Sequence, residues 1–246
     1  MVELYLNPNQ DGAWEEKDAG PLDEQGSVNV AAAGTLLKEL QGKVRDPLRF
    51  KILENYWLLA SRSKSNIDNA MQSFISILDK DQDYLPAVLG MATGFMVEKN
   101  QHKAHNLLKR VAKMEQHLHD GDDYCRANLL LAKIYVDKVL YDQAQDLCKR
   151  CLAQNKSSSQ AWEIMGLILE KEGNYDQASE CYEKAWNLEF QQSPPVGFKL
   201  AFSYLKSKKY VEGIDICEKV LSQFPDYPKI KDEILKKCQM SLRSNA

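Results

Sequence analysis

Cys148 and Cys151 stand at the C-x-x-C spacing, which elsewhere holds a zinc ion or runs thiol–disulfide exchange. A structural zinc site needs two further ligands, usually a second C-x-x-C or a spaced pair of histidines. No such partner follows at a workable distance. The other cysteines, Cys125, Cys181, Cys217 and Cys238, are scattered singly. Four of the six fall on the apolar face of a helix pattern, where cysteine packs as a small hydrophobe. Reduced, buried thiols are the expectation, and metal or redox chemistry the alternative.

The histidines give a second candidate. His102 and His105 lie three residues apart on a helix pattern, and His117-Leu118-His119 runs into Asp120, Asp122 and Asp123. These are ligand-type residues in a segment without fixed geometry, so a solvated loop is expected, with transient metal binding as the alternative. No Gly-rich phosphate loop, dinucleotide fingerprint, nucleophile elbow or H-E-x-x-H occurs, and no Ser, His and carboxylate are spaced for a triad. The reading is a chain that is not an enzyme and that takes no metal or cofactor.

Lys206, Lys208 and Lys209 gather in one turn, and Lys229, Lys231, Lys236, Lys237 and Arg243 decorate the C-terminal segment. Such runs are usually solvated faces. The functional alternative is a basic patch for an acidic partner, including the tubulin surface. Net charge is −3, and the basic residues do not alternate with exposed aromatics, so nucleic acid is not an expected partner. No apolar run reaches membrane-spanning length, so no direct membrane insertion is expected, and the N-terminus has no signal-peptide pattern. A soluble, cytosolic chain is the expectation.

The elements that position these residues are set by a repeat. Tyr-Asp-Gln-Ala occurs at Tyr141–Ala144 and again at Tyr175–Ala178, an offset of 34 residues (175 against 141). Around the second copy, Trp162, Met165, Gly166 and Leu169 share one face of a first helix, and Tyr175, Ala178, Tyr182 and Ala185 share one face of a second. Gly166 and Ala178 are small where the two helices approach. This pattern resembles the tetratricopeptide (TPR) repeat, whose period is about 34 residues. The upstream copy has Asn128, Leu131, Ala132 and Tyr135, then Tyr141, Ala144, Cys148 and Cys151; the downstream copy has Gly197, Leu200, Ala201 and Tyr204, then Tyr210, Gly213, Cys217 and Val220. Weaker copies carry Val88, Met91, Ala92, Phe95, Ala104, Leu108 and Val111, and Trp57, Leu58, Ala70, Phe74 and Ile77.

The predicted fold is all-α, a right-handed TPR solenoid of about five helix–turn–helix repeats over 46–226, at about 47–82, 84–116, 124–156, 158–191 and 193–226. A capping helix over 227–246 is expected to start at Asp226-Tyr227-Pro228, with Ile230, Ile234 and Cys238 as its apolar stripe. Residues 1–45 should hold a partial repeat tail, an acidic flexible loop over 7–27, and a helix from about Val30 to Val44 with Leu36, Leu37, Leu40 and Val44 on one side. Asp46-Pro47 should open the next helix. Val2–Pro8 looks like the end of another repeat's second helix, so the chain is expected to begin mid-repeat, as a piece or a short form of a longer solenoid.

Some TPR domains grip acidic C-terminal tails through a carboxylate clamp of Lys, Asn and Arg on first helices. The matching positions here hold Leu129, Lys133, Glu163, Ile164, Leu167, Pro195 and Lys199, so that use is disfavoured. Partner-binding residues are not assigned by the sequence.

Beyond the generic repeat, Glu3–Asn9, Val44–Phe74, Gly197–Leu221 and Tyr227–Arg243 resemble the C-terminal part of the tetratricopeptide repeat protein 21 family, with the Asn-rich NPNQDG segment leaning towards its A paralogue over B. The resemblance implies a non-catalytic scaffold, part of the large TPR subunit of intraflagellar transport complex A. It implies the other subunits of that complex and ciliary cargo or adaptor proteins as partners, retrograde transport and admission of proteins to the cilium as roles, and the cytoplasm, axoneme and ciliary base as locations. A stand-alone peptide-binding adaptor in the cytosol is the rival reading.

Overall fold

Asp46 accepts hydrogen bonds from the Leu48 and Arg49 amides at 3.0 and 3.1 Å, and Pro47 follows it at a position where no amide proton is needed, so a helix starts there. The computed structural model describes residues 24–113, 121–227 and 229–244, with side chains from residue 30 onward. Among these residues every regular element is a helix. The chain divides into two compact units, Met1–Ala127 and Asn128–Ala246.

The first unit contains α1 (Glu24–Leu40), α2 (Pro47–Ala60), α3 (Lys64–Leu78), α4 (Leu85–Val97) and α5 (Gln101–Val111). Ala33 and Leu37 of α1 pack under Phe50, Leu53 and Trp57 of α2, and the Trp57 indole N–H donates to the Val30 carbonyl at 2.9 Å. Ile52, Leu59, Ala70, Met71 and Phe74 form the next core. The Phe74 ring fills the space that the missing side chain of Gly90 leaves open. Ala104, Leu108 and Val111 bury the inner face of α5.

The unit boundary falls within α6 (Gly121–Asp137). The second unit continues with α7 (Tyr141–Gln154), α8 (Ser159–Lys171), α9 (Tyr175–Leu188), α10 (Pro194–Lys206), α11 (Tyr210–Gln223), a π-helical turn (Ile230–Leu235) and α12 (Lys236–Ser244). One turn design joins first to second helices. A residue takes the left-handed conformation, at Lys99 (φ 60), Val139 (φ 61), Gly173 (φ 78) and Lys208 (φ 63). The next amide then donates back to a carbonyl five residues earlier: Asn100 to Phe95, Leu140 to Tyr135, Asn174 to Leu169 and Lys209 to Tyr204, all at 2.8 to 2.9 Å. Carbonyls left over at the end of each first helix are satisfied this way. In the repeated tetrapeptide, Ala144 and Ala178 are fully buried while its Asp and Gln are exposed, so the shared residues divide between packing and solvation.

Four features differ from the sequence reading. α1 starts at Glu24 and ends at Leu40, against an expected 30–44. Residues 24–27, expected in the loop, are helical, since extending a nucleated helix by a few residues costs little. The rest of that loop, residues 7–23, and the repeat tail at Val2–Pro8 lie outside the described residues. At the other end Gly42 adopts φ 79 and turns the chain, which leaves Val44 in a loop, more than a third exposed. The Trp57 and Leu58 side chains pack against the core only partly buried, and Ile52 and Leu59 beside them are the fully enclosed ones.

The last helical stretch begins at Ile230, later than the start expected from Asp226-Tyr227-Pro228, of which Pro228 lies outside the described residues. Tyr227 donates to the Phe224 carbonyl at 3.1 Å, so the chain is still turning there, and Lys229 (φ 69) redirects it into the π turn. The wider turn still places Ile230, Ile234 and Cys238 in the core, fully buried with Leu200, Ala201 and Cys217.

Candidate interaction surface

The C-x-x-C pair is interior. Cys148 and Cys151 sit on the inner face of α7 with Ala144 and Leu147, at most 1% exposed. Burial alone pushes the Cys148 thiol up to about 12, so it stays protonated and a poor nucleophile. Cys217 is likewise pushed up to about 12, first by burial and then by Cys238 and Glu218. None of the six cysteines is joined in a disulfide.

His102 is exposed on α5 and His105 half-buried. His117, His119 and Asp120 lie outside the described residues. Asp122 and Asp123 enter the first turn of α6, where acidic side chains suit the positive end of the helix dipole, and Asp123 pairs with Arg126 at 3.5 Å. Among the described residues no three His, Cys, Asp or Glu side chains gather as a metal would need.

The basic residues are distributed, not clustered on one ligand. Lys209 pairs with Asp176 at 3.1 Å, Lys236 with Asp232 at 2.5 Å, and the Lys206 ammonium lies over the Phe202 ring at 5.3 Å. Lys208, Lys229, Lys231, Lys237 and Arg243 are exposed. The clamp positions are mostly occupied by packing: Leu129 and Ile164 are buried, and Lys199 is neutralised by Glu163 at 3.1 Å, each about a fifth exposed.

The structure adds a surface that the repeat pattern does not mark. On α10 the core face carries Val196, Leu200, Ala201 and Tyr204. Phe198, Phe202 and Leu205 follow a second stripe at spacings of four and three, only partly buried against that core. Tyr227 packs on Phe198 with ring centroids 6.4 Å apart, and Tyr175 meets Phe202 edge-on at 6.3 Å. On α8, Trp162 is also half-buried, with the Lys184 ammonium 4.2 Å above its ring. These side chains have apolar area left to bury, and aromatic surface of this kind anchors protein partners. The signal was present as a period of three and four, but it belongs to one helix, whereas the repeat register records only positions that all copies share.

Acidic residues recur at one exposed position of the second helices, and the last of them pairs with Lys219 at 2.8 Å. Asp146, Glu180 and Asp215 occupy the same repeat position on α7, α9 and α11, all exposed. Among the described residues no helix is long and apolar enough to cross a membrane.

Comparison with known proteins places this arrangement. The family described as tetratricopeptide repeat protein 21 C-terminal ARM domain matches residues 32–239. Tetratricopeptide repeat protein 21B of Homo sapiens is 44% identical over 99% of this chain, and 21A of Homo sapiens is 40% identical over the same share. The Caenorhabditis elegans homologue is 32% identical over 99% of the chain. The human identities are the higher for B, so they do not favour the A paralogue that the NPNQDG segment suggested. Each match covers 19% of the relative, so the chain spans about a fifth of the length of the curated relatives it matches. Among solved structures, the anaphase-promoting complex hetero-tetramer Cut9-Hcn1 aligns with a TM-score of 0.64 at 15% identity, covering 89% of this chain and 43% of that one. A tetratricopeptide repeat protein from Parabacteroides merdae aligns with a TM-score of 0.55 at 17% identity, covering 88% and 82%. At these identities the structural matches show the fold alone, an all-α stack of helical repeats.

Proposed function

We propose that this chain, which belongs to the tetratricopeptide repeat protein 21 family, works as a non-catalytic scaffold within intraflagellar transport complex A, in retrograde ciliary transport and ciliary protein trafficking. The observation that carries the reading is the 44% identity to a family member across 99% of the chain, far beyond what a shared repeat pattern requires. The structure supports the scaffold part of the reading. Five of its six thiols are buried as packing groups, and Trp162, Phe198, Phe202 and Leu205 on first helices are half-buried. Such surfaces bind extended peptides or neighbouring helices by burying apolar area.

On this reading the partners are other subunits of the complex and ciliary cargo or adaptor proteins, and the chain acts in the cytoplasm, along the axoneme and at the ciliary base. The test is affinity purification of the tagged chain from ciliated cells, with residue-level cross-linking. Recovery of the multi-subunit complex, with cross-links from α8 and α10 to another subunit, is the expected result. Recovery of one small ligand without the complex would make the chain a stand-alone adaptor.

A further inference from the structure

Three of the ten exposed large apolar side chains among the described residues fall within one nine-residue stretch: Leu40, Val44 and Leu48, 37 to 40% exposed. Phe190 is more exposed, at 83%, but stands singly. The three span the turn from α1 to α2, and the two sides of that turn meet beneath them. Leu36, one helical turn before Leu40, and Phe50, two residues after Leu48, both pack on Ala33 and Leu37. The charge here is positive. Between residues 25 and 61 the cations are Lys38, Lys43, Arg45, Arg49 and Lys51, all exposed, and the anions are Glu39, Asp46 and Glu54. Widening the stretch adds one of each sign, Glu24 and Arg62, and leaves the excess unchanged. Asp46 is committed as the cap of α2, and Glu54 is half-buried. The positive dipole end of α2 also opens into this turn, while the last carbonyls of α1 are taken up by the Gln41 and Lys43 amides.

The residues before α1 have the opposite character. Residues 1–23 hold Glu3, Asp11, Glu15, Glu16, Asp18 and Asp23 against a single Lys17, with Trp14 among the carboxylates. We propose that this chain's own segment 11–18 docks on the α1–α2 turn. The Trp14 indole covers Leu40, Val44 and Leu48, and Glu15, Glu16 and Asp18 meet Lys43, Arg45, Arg49 and Lys51. Reach permits it: α1, at 17 residues, is about 25 Å long, and the ten steps from residue 14 to residue 24 extend to about 33 Å. Tethering selects this occupant, because a covalent neighbour is present at an effective concentration of about millimolar, which a separate acidic protein or a second copy must exceed. An anionic lipid surface suits the charges but not the shape, since side chains so far packed against the fold offer no wedge to insert. Once docked, the segment closes the turn to any other acidic, apolar ligand. This contact lies within the first unit and does not depend on the scaffold reading.

Zero-length carbodiimide coupling of the full chain, mapped by mass spectrometry, is the test, because it joins only a carboxylate and an amine in contact. Light and heavy isotope-labelled chains are mixed, so that links within one chain and between chains are told apart. Links from Glu15, Glu16 or Asp18 to Lys38, Lys43 or Lys51 within one chain are expected. Arg45→Glu with Arg49→Glu keeps these reporter lysines and should lower the yield about tenfold by charge reversal. Trp14→Ser, outside the described residues, should lower it about threefold by removing the apolar anchor. Lys149→Glu with Arg150→Glu, exposed on α7, should leave it unchanged. Links only between light and heavy chains would give the turn to a second copy and overturn the proposal. So would an absence of links, links spread evenly over the exposed lysines of the chain, or a yield that either Trp14→Ser or the paired arginine change leaves unaltered.

Discussion

The Tyr182 ring lies flat against Gly166, so that a Cβ at position 166 would come within 2.7 Å of its Cδ1 and Cε1 atoms. Neither atom belongs to a free-swinging end. Tyr182 is fully buried, and its hydroxyl is tied to Glu170 at 2.8 Å. The glycine is thus a packing requirement of the α8–α9 pair.

Gly166→Leu is therefore expected to overpack the pair and destabilise the fold by about 1–3 kcal/mol. Urea denaturation checks this, and an unchanged midpoint would show that the ring can move aside. Adding Tyr182→Ala to the Leu variant should recover part of the loss, since the clash is between these two side chains.

Gly166 also shows why much of the fold was legible in sequence. Its smallness, the bulk of Tyr182 and the smallness of Ala178 recur at a fixed period, and packing demands that recurrence. Where no period applied, the reading slipped. α1 lacks a repeat partner, and it ends at Leu40, four residues before the expected Val44, where the glycine turn at 42 follows. The π turn at 230 depends on the backbone of Lys229, which no residue type announces. The stripe of Phe198, Phe202 and Leu205 is particular to α10. The exposed ring of Phe190 is invisible to a register built from buried positions.

Val139 occupies the same left-handed turn position as Gly173, with φ 61, and two-thirds of its surface is exposed. A β-branched residue pays about 1–2 kcal/mol for that conformation, while its apolar contacts are few. Val139→Gly should stabilise the second unit, by about 0.5–1 kcal/mol after the added freedom of glycine in the unfolded chain is deducted. The check is a rise in melting temperature; a fall would mean that the side chain packs more than its exposure implies.

Alkaline pH should weaken the fold through its thiols. The Cys148 and Cys217 values are raised from 9.0 to about 12 in the folded chain, first of all by burial. Above pH 9 the unfolded chain releases these protons while the folded chain keeps them, so the unfolded state binds fewer protons and stability falls as pH rises. The contribution is fully present below pH 9 and is lost between 9 and about 12. Cys148→Val should flatten the decline in urea midpoint over that window. An identical slope in the variant would rule the thiol out as the cause.

Asn128 begins the second unit only 1% exposed, and neither Oδ1 nor Nδ2 has a hydrogen-bond partner among the described residues. It stands where the best copy of the repeat has Trp162, a position that favours an apolar side chain. A buried amide without partners costs about 1–3 kcal/mol in lost hydration, whereas leucine is close to it in size and has nothing to desolvate. Asn128→Leu is thus expected to raise stability by about 1–2 kcal/mol, an outcome rare for a change at a buried position. Asn128→Asp, of the same shape but charged, should do the reverse and lower the melting temperature sharply, because an unpaired carboxylate must then be buried or the segment must open. Calorimetry of the two variants beside wild type decides it. If leucine destabilises as aspartate does, the amide has a partner that its geometry conceals, and the position serves recognition or register in place of packing.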